Sequence, residues 1–401
     1  MGDDRVFGMG DDPLTAPTWP ALAVDEQTRI MTDDHVFGMG DAPLVEPTWP
    51  TLTEDEIARA VAATWDGVEV AAVEWHSPRP LSSTVGVRVA DGEQLVVKRL
   101  PLRLRDRAAL AEEYRFMAHL RTRGIPVPEV RAAVGDWAPS RGGLSEFGGF
   151  IYEVHRVGVG EDRYREDFSW SPYRDVGDAT GAGTMLARLH LAAVGFDAPA
   201  RSARPLVSSS HGDDVVSAFE WHIAHRPAVA RFLGGRDWRA EIPDLRVDLD
   251  GVEPLWTHGD WHATNLLWDG HEVSSVIDFG LADRTTAVFD LAIAIERAAV
   301  DWVSLRDGGP ANVREDQVTA LIQGYRAERS LSRAEQTLLP AILPLAHIGY
   351  ELSEIDYFRT VADEPRNAEI AYEDWLLGHL RWYETPAGRD LRDLVADLAT
   401  S

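Results

Sequence analysis

The spacing of apolar positions changes along the chain. Short valine-rich runs cover 68–76 and 84–98, the second broken at Asp91-Gly92, which predicts strands joined by a tight turn. A period near 3.6 then takes over. Residues 106–123 place Leu110, Glu113, Phe116, Met117 and Leu120 on one helical face, and Gly124 with Pro126 and Pro128 ends that helix. Another apolar run, 149–155, reads as a strand. Helical periodicity then dominates 174–193, 213–233, 311–329, 333–358 and 366–383. Upstream, Thr53 and Glu56 form a capping box that opens a helix running to about Trp65. Strands first and helices afterwards predict an α+β fold, with a small β-rich lobe and a larger, mostly helical lobe after it.

One stretch of the second lobe breaks this pattern. Asp260 and Asn265 lie five positions apart in a polar loop, and Asp278 follows the apolar pair Val276-Ile277. Between them, Leu266 to Trp268 and Val273 to Ile277 read as a hairpin around Asp269-Gly270. A hairpin brings its open ends together, so Asn265 and Asp278 are expected side by side, with a bend to close a mismatch of a few positions. An amide oxygen and a carboxylate converging near a second carboxylate form a hard oxygen site of the kind Mg²⁺ prefers, with phosphates completing the shell. The remaining carboxylate, Asp260, is placed to take the proton of an attacking hydroxyl, as in phosphoryl transfer. The bland alternative for each residue alone is a loop Asp or Asn bonding its own backbone.

Charge adds a second pointer. Of 39 basic residues only Lys98 is a lysine. It ends an apolar strand, where an ammonium needs a partner. Glu113, the one acid on the apolar stripe of the next helix, is the expected partner, with Glu112 as the substitute; the other reading is a lysine snorkelling to the surface. The net charge of −27 argues against nucleic acid or an anionic membrane as partner. It is uneven: −11 over 1–56, +1 over 57–155 and −17 over 156–401. A cationic substrate fits the acidic second lobe, and so does a merely solubilising surface. There is no cysteine, which excludes a disulfide framework and thiolate chemistry. No 18-residue apolar run and no basic leader are present, so a soluble cytoplasmic protein is expected.

His258-Gly259-Asp260, Asn265 five residues on, and Ile277-Asp278-Phe279-Gly280 together resemble the aminoglycoside phosphotransferase and choline kinase family, relatives of the protein kinases. The run 288–295 is most similar to the branch holding homoserine kinase of the second type. The resemblance covers about residues 65–385, most strongly in the centre. It implies a bilobal kinase-like fold with the lobe boundary near 155, a β-rich ATP-binding lobe over 53–155 and a helical lobe over 156–401. It also implies ATP and Mg²⁺ as cofactors, Asp260 as catalytic base, and Asn265 and Asp278 as metal ligands. It further implies that Asp290 braces the catalytic loop alongside His258, and that Lys98, positioned by Glu113, grips the α- and β-phosphates. The 77–84 loop would cover the phosphates. It offers Ser82, Ser83 and Thr84 where a glycine-rich pattern is usual. Glu153 and Val154 would lie at the hinge that meets adenine.

The acceptor is less constrained. Only eleven residues separate Asp278 from Asp290, too few for a peptide-docking segment, so a small-molecule hydroxyl is expected. Aminoglycosides, amino alcohols and amino sugars stay open, as do a Ser/Thr protein kinase of the same fold and a non-catalytic nucleotide sensor. Tyr350 to Phe358 reads either as a helix with a solvated face or as part of a wall for an amine-bearing acceptor. Trp261 and His262 either touch substrate or pack, and His190 reads as a core or capping histidine. Residues 1–52 are acidic and contain a repeat at a 30-residue offset, with Met31 a candidate start. They read as a poorly ordered tail or as a latch setting Phe37 and Trp49 against the first lobe. Oligomeric state is not legible.

Overall fold

Two antiparallel turns build the first part of the fold. β1 (Val70–His76), β2 (Ser83–Val89) and β3 (Gln94–Pro101) are consecutive, and the reversal at Asp91-Gly92 sets Ser83 opposite Arg99 and Thr84 opposite Lys98. Gly92 takes a positive φ of 92°, and the Asp91 carboxylate accepts from Glu93 N–H at 3.0 Å, so both residues serve the turn. β5 (Phe150–Arg156) pairs with β3, and β4 (Leu144–Phe147) closes the sheet in the order β1-β2-β3-β5-β4. The computed structural model describes residues 49–65, 68–77, 82–130, 144–167, 169–207, 213–306 and 308–401. The acidic repeat and Phe37 lie outside them.

The helix Glu54–Thr64 starts at the expected capping box: Thr53 Oγ1 accepts from Glu56 N–H, and the Glu56 carboxylate accepts from Thr53 N–H. Its apolar side, Ile57 and Val61 with Trp65, packs on Val85, Val87, Val97 and Val154 of the sheet. Glu56 also receives Arg99 at 2.7 Å and the Tyr152 hydroxyl at 2.8 Å, tying helix to sheet. Trp49 meets Phe150 of the sheet edge-on at 6.0 Å.

From Val176 onwards the chain is mainly helical, and the whole is an α+β fold with a sheet-bearing N-terminal part and a helical C-terminal part. The 3.6-period segments form helices at Val176–Ala193, Val215–His225, Pro227–Leu233 and Glu315–Glu328, close to the expected limits. Three long segments are broken, the first being 213–233, where Pro227 opens a new helix after His225. The 333–358 stretch divides into Arg333–Ile342 and Ile348–Tyr357, because Pro344 has no N–H to continue the first helix. The 366–383 stretch divides into Pro365–Ile370 and Leu377–Tyr383 around a wider turn over Ala371–Leu376. No helix among the described residues is long and apolar enough to cross a membrane.

The central stretch forms a second, smaller sheet element. β7 (Leu266–Asp269) pairs with β8 (Glu272–Val276), with Leu266 opposite Val276 and Asp269 opposite Glu272. A register shift between Leu267 and Trp268 supplies the expected bend. β9 (Asp283–Thr286) pairs with β6 (Pro254–Thr257) and leads straight into the buried helix Ala287–Ala299.

Candidate active site

Backbone geometry brings the three oxygen-bearing residues together. Ile277 N–H donates to Asn265 C=O at 2.9 Å, closing the hairpin so that Asn265 and Asp278 are neighbours. Asp278 adopts φ 58°, ψ 74°, an uncommon left-handed conformation for a residue with a Cβ, and such strain gathers at functional sites. Its carboxylate stands half-exposed in a cleft of about 370 Å³, 3.2 Å from Lys98 Nζ. The cleft is also lined by Ser82, Glu153, Asp260 and Asn265.

The catalytic-loop candidate is braced from behind. Asp290 is fully buried and accepts from His258 N–H at 3.0 Å and Gly259 N–H at 2.8 Å. His190 Nε2 donates to the same carboxylate at 3.0 Å, and its Nδ1 meets Tyr325 Oη at 2.7 Å. His190 therefore supports the loop through Asp290. The His258 side chain donates from Nε2 to Ile277 C=O at 3.0 Å and accepts Asp260 N–H on Nδ1 at 3.2 Å, linking the loop to the strand before Asp278. Gly259 has φ 77°, and a Cβ there would lie 2.3 Å from Leu281 C=O, so no larger residue fits between His258 and Asp260. Asp290→Asn would leave one buried backbone N–H facing an amide NH₂. A destabilisation of about 2–3 kcal/mol is expected, read as a lower denaturation midpoint.

Asp260 is held at both oxygens. Arg297 Nη2 approaches Oδ1 at 2.9 Å, while Asn265 Nδ2 and His262 Nε2 approach Oδ2 at 3.1 and 3.3 Å. Burial pushes its pKa up, but His262 and Arg297 outweigh burial and keep the carboxyl well below the usual range. The carboxylate is thus ionised throughout the working pH range. Burial likewise opposes Lys98 charging, but Asp278 and then Glu153 outweigh it and raise the Lys98 pKa.

Lys98 and Glu113 do not form the expected ion pair. Glu113 faces the same cleft but is taken by two buried guanidiniums, Arg201 Nη2 at 2.7 Å and Arg105 Nε at 3.2 Å. Glu112 also turns to Arg201, at 3.6 Å. Arg105 and Arg201 each donate to Gly280 C=O, at 2.7 and 3.1 Å, so Glu113 anchors the segment carrying Asp278. The physical reason is reach and charge: two arginines compete with one ammonium for a single carboxylate. Neither arginine was legible as a partner, since both come from irregular chain with no periodicity to orient them.

Glu153 is the acid placed on Lys98, directly opposite it in the β3–β5 ladder, with its carboxylate 3.9 Å from Nζ and accepting from the Tyr114 hydroxyl at 2.8 Å. Glu153 and Val154 therefore sit in mid-strand, not at a hinge, and the cleft-lining chain continues through Val157, Gly158 and Gly160. Burial pushes Glu153 up to about 7, with Lys98 pulling it down and Glu113 pushing it up. An acid with a raised folded pKa holds its proton where the unfolded chain has lost it. Its contribution is complete below about 4.5 and fades as pH rises to about 7. Between pH 5 and 8 the wild type should thus lose up to about 3 kcal/mol more than Glu153→Gln, measured by chemical denaturation.

Ser82 and Ser83 are buried at the start of β2, and Ser82 Oγ lies 3.1 Å from Thr84 Oγ1 beside Lys98. Residues 78–81 of the same loop lie outside the described residues. Trp261 is fully buried and packs against His258, whereas His262 reaches the cleft. The helix Ile348–Tyr357 has no solvated acidic face: Glu351, Glu354 and Asp356 are all buried, and Tyr350 lines the cleft. Arg297 escaped the sequence reading because it follows Glu296 at the end of a mainly apolar helix that is buried all round, so no polar face marks it. Its guanidinium stacks 3.9 Å from the Trp170 ring and 4.6 Å from that of Tyr350.

The sequence matches the model of the phosphotransferase enzyme family over residues 79–331. A homoserine kinase of Methylobacillus flagellatus is 30% identical over 203 residues, 49% of this chain and 57% of that protein. Another, from Methylobacillus glycogenes, is 29% identical over 178 residues, 43% of this chain and 50% of that protein. The chain thus spans about half the length of the curated relatives it matches. Among solved structures, the macrolide 2′-phosphotransferase of Brachybacterium faecium is similar with a TM-score of 0.48 at 17% identity, covering 80% of this chain and 97% of that one. With its pattern matched across Lys98, the Asp260 loop and Asp278, the chain belongs to the phosphotransferase enzyme family.

Proposed function

We propose that the protein transfers the γ-phosphoryl group of ATP to a hydroxyl of a small molecule, with Mg²⁺ as the metal. The observation that carries this reading is the shared cleft, with Lys98 and Asp278 in contact and Asp260 beside Asn265. The residues fit the metal: Asp278 offers a half-exposed carboxylate, and Asn265 adds an amide oxygen in the same cleft. When bound there, Mg²⁺ would neutralise charge on the β- and γ-phosphates.

In the transfer, the acceptor O–H gives its proton to Asp260 as the oxygen bonds to phosphorus. The bond from phosphorus to the bridging oxygen breaks and ADP leaves. Lys98 balances charge on the phosphates, and Asp278 and Glu153 keep its ammonium charged and in place. A peptide acceptor is disfavoured by the path of the chain after Asp278, which passes through a single turn and β9 into the Ala287–Ala299 helix.

The acceptor reading can be sharpened. An amine suits the −17 carried by residues 156–401. Arg297, however, brings a buried guanidinium to the same wall, ion-paired with Asp260 and stacked on Trp170 and Tyr350, with no hydrogen bond to another residue among the described residues. Guanidinium suits a carboxylate. An amino alcohol that also bears a carboxylate satisfies both charges, and the homoserine kinases among the relatives are consistent with it. Steady-state kinetics on matched hydroxy compounds with and without the carboxylate, and on amino sugars, should show a preference of about 10–100-fold in kcat/KM for the carboxylate form. Arg297→Met should erase that ratio. ATP consumed with none of these, or radiolabel passing from ATP to protein, would contradict the proposal.

A further inference from the structure

Behind the acceptor wall lies a group of side chains that the transfer does not use. Glu296, His347 and His379 come from three separate segments: the Ala287–Ala299 helix, the residue preceding Ile348–Tyr357, and the Leu377–Tyr383 helix. Their ligand atoms lie within 4.8 Å of one another, and all three side chains are at most 1% exposed. Glu296 Oε1 stands 3.2 Å from His347 Nδ1 and 2.8 Å from His379 Nδ1.

Hydrogen-bond accounting leaves this group incomplete. His347 Nε2 lies 3.2 Å from Leu376 C=O, which only accepts, so Nε2 carries the hydrogen. In the neutral ring Nδ1 is then a bare lone pair, and it faces a carboxylate oxygen. Two acceptors aimed at each other in a dry interior require a positive centre between them. His347 Nδ1 and His379 Nε2 both lack a hydrogen-bond partner. So does the buried Tyr383 hydroxyl on the same helix as His379. A carbonyl fixing the far nitrogen of a histidine is also the usual outer support of a metal ligand. Two ligands bound at about 2.0–2.1 Å across a tetrahedral angle stand about 3.3 Å apart, near the Glu296–His347 separation.

We propose that Glu296, His347 and His379 hold a divalent transition metal of the Zn²⁺ class, with a water in the fourth position. Two imidazoles and one carboxylate suit Zn²⁺ or Co²⁺ and not Mg²⁺. The site is structural. It lies outside the cleft, enclosed by Trp302 stacked 3.7 Å from the His379 ring, with the Trp170 ring 5.7 Å away. It would fasten the helix of Glu296 to two later helical segments, and so fix the neighbouring Arg297, which holds Asp260. The proposal does not depend on the identity of the acceptor.

The test is metal content and cobalt spectroscopy on the full chain. Protein grown with added Zn²⁺ and gel-filtered should carry about one equivalent per chain by mass spectrometry of the elements. Co²⁺-loaded protein should show the intense visible bands of tetrahedral nitrogen–oxygen coordination, unchanged in Asp278→Asn. Both signals should fall to background in Glu296→Gln and in His379→Gln. Two results would overturn the site: wild-type protein that takes up no Zn²⁺ and shows only weak octahedral cobalt bands, or metal lost in Asp278→Asn and kept in Glu296→Gln. The first would leave a proton shared between Glu296 and His347. The wild-type spectrum decides even if a variant fails to fold.

Discussion

Asp260→Asn should lower kcat by about 10²–10⁴ while leaving the affinity for ATP little changed. The substitution keeps the shape of the side chain and removes the atom that receives the proton. Asp260 contacts Arg297, His262 and Asn265 and makes no contact with Lys98, so the nucleotide-facing ammonium keeps both of its acids. A stability loss should accompany the kinetic one, because Arg297 is 5% exposed and would lose its charged partner. The pH profile gives an independent check. Since Arg297 and His262 hold Asp260 well below the usual carboxyl range despite burial, no acid limb in kcat/KM above pH 5 should come from this residue.

Asp278→Asn should act on the other half of the site. Burial opposes ionisation of Asp278, but Lys98 at 3.2 Å outweighs it, so the carboxylate is charged at neutral pH. Replacing it removes the strongest oxygen donor facing the cleft. Turnover is expected to fall by about 10²–10³, and the divalent ion should cease to strengthen nucleotide binding. Chelation of Mg²⁺ should reproduce this loss in the wild type and add little in the variant, as coupled assay and calorimetry would show.

How much of this was legible follows from what kind of signal each residue leaves. Strands, turns and single helices obey local periodicity, so the β2–β3 and β7–β8 hairpins and the 176–193 helix fell where the pattern put them. The Asp260, Asn265 and Asp278 juxtaposition was legible because a hairpin converts sequence spacing into proximity. Ion-pair choice was not. Whether Glu113 meets Lys98 or a pair of arginines depends on chain segments 88 residues apart, and only assembly decides it. Glu153 was noticed for its strand, but its contact with Lys98 rests on a cross-strand register that the sequence does not print. The choice between a solvated face and a cleft wall for 350–358 stayed open in the sequence, because a helix buried on all sides shows no polar face to identify. Arg297 was hidden in the same way, as one of three charges on a helix buried all round.

The central claim is that one triphosphate is held between Lys98 and Asp278 with Asp260 beside it to serve the acceptor. Titrating ATP calorimetrically into Asp260→Asn and Asp278→Asn, each with and without Mg²⁺, tests it most directly. Tight, Mg²⁺-dependent binding to the first and weak, Mg²⁺-indifferent binding to the second is the predicted result. The reverse pattern, or equal binding by both variants, would contradict it.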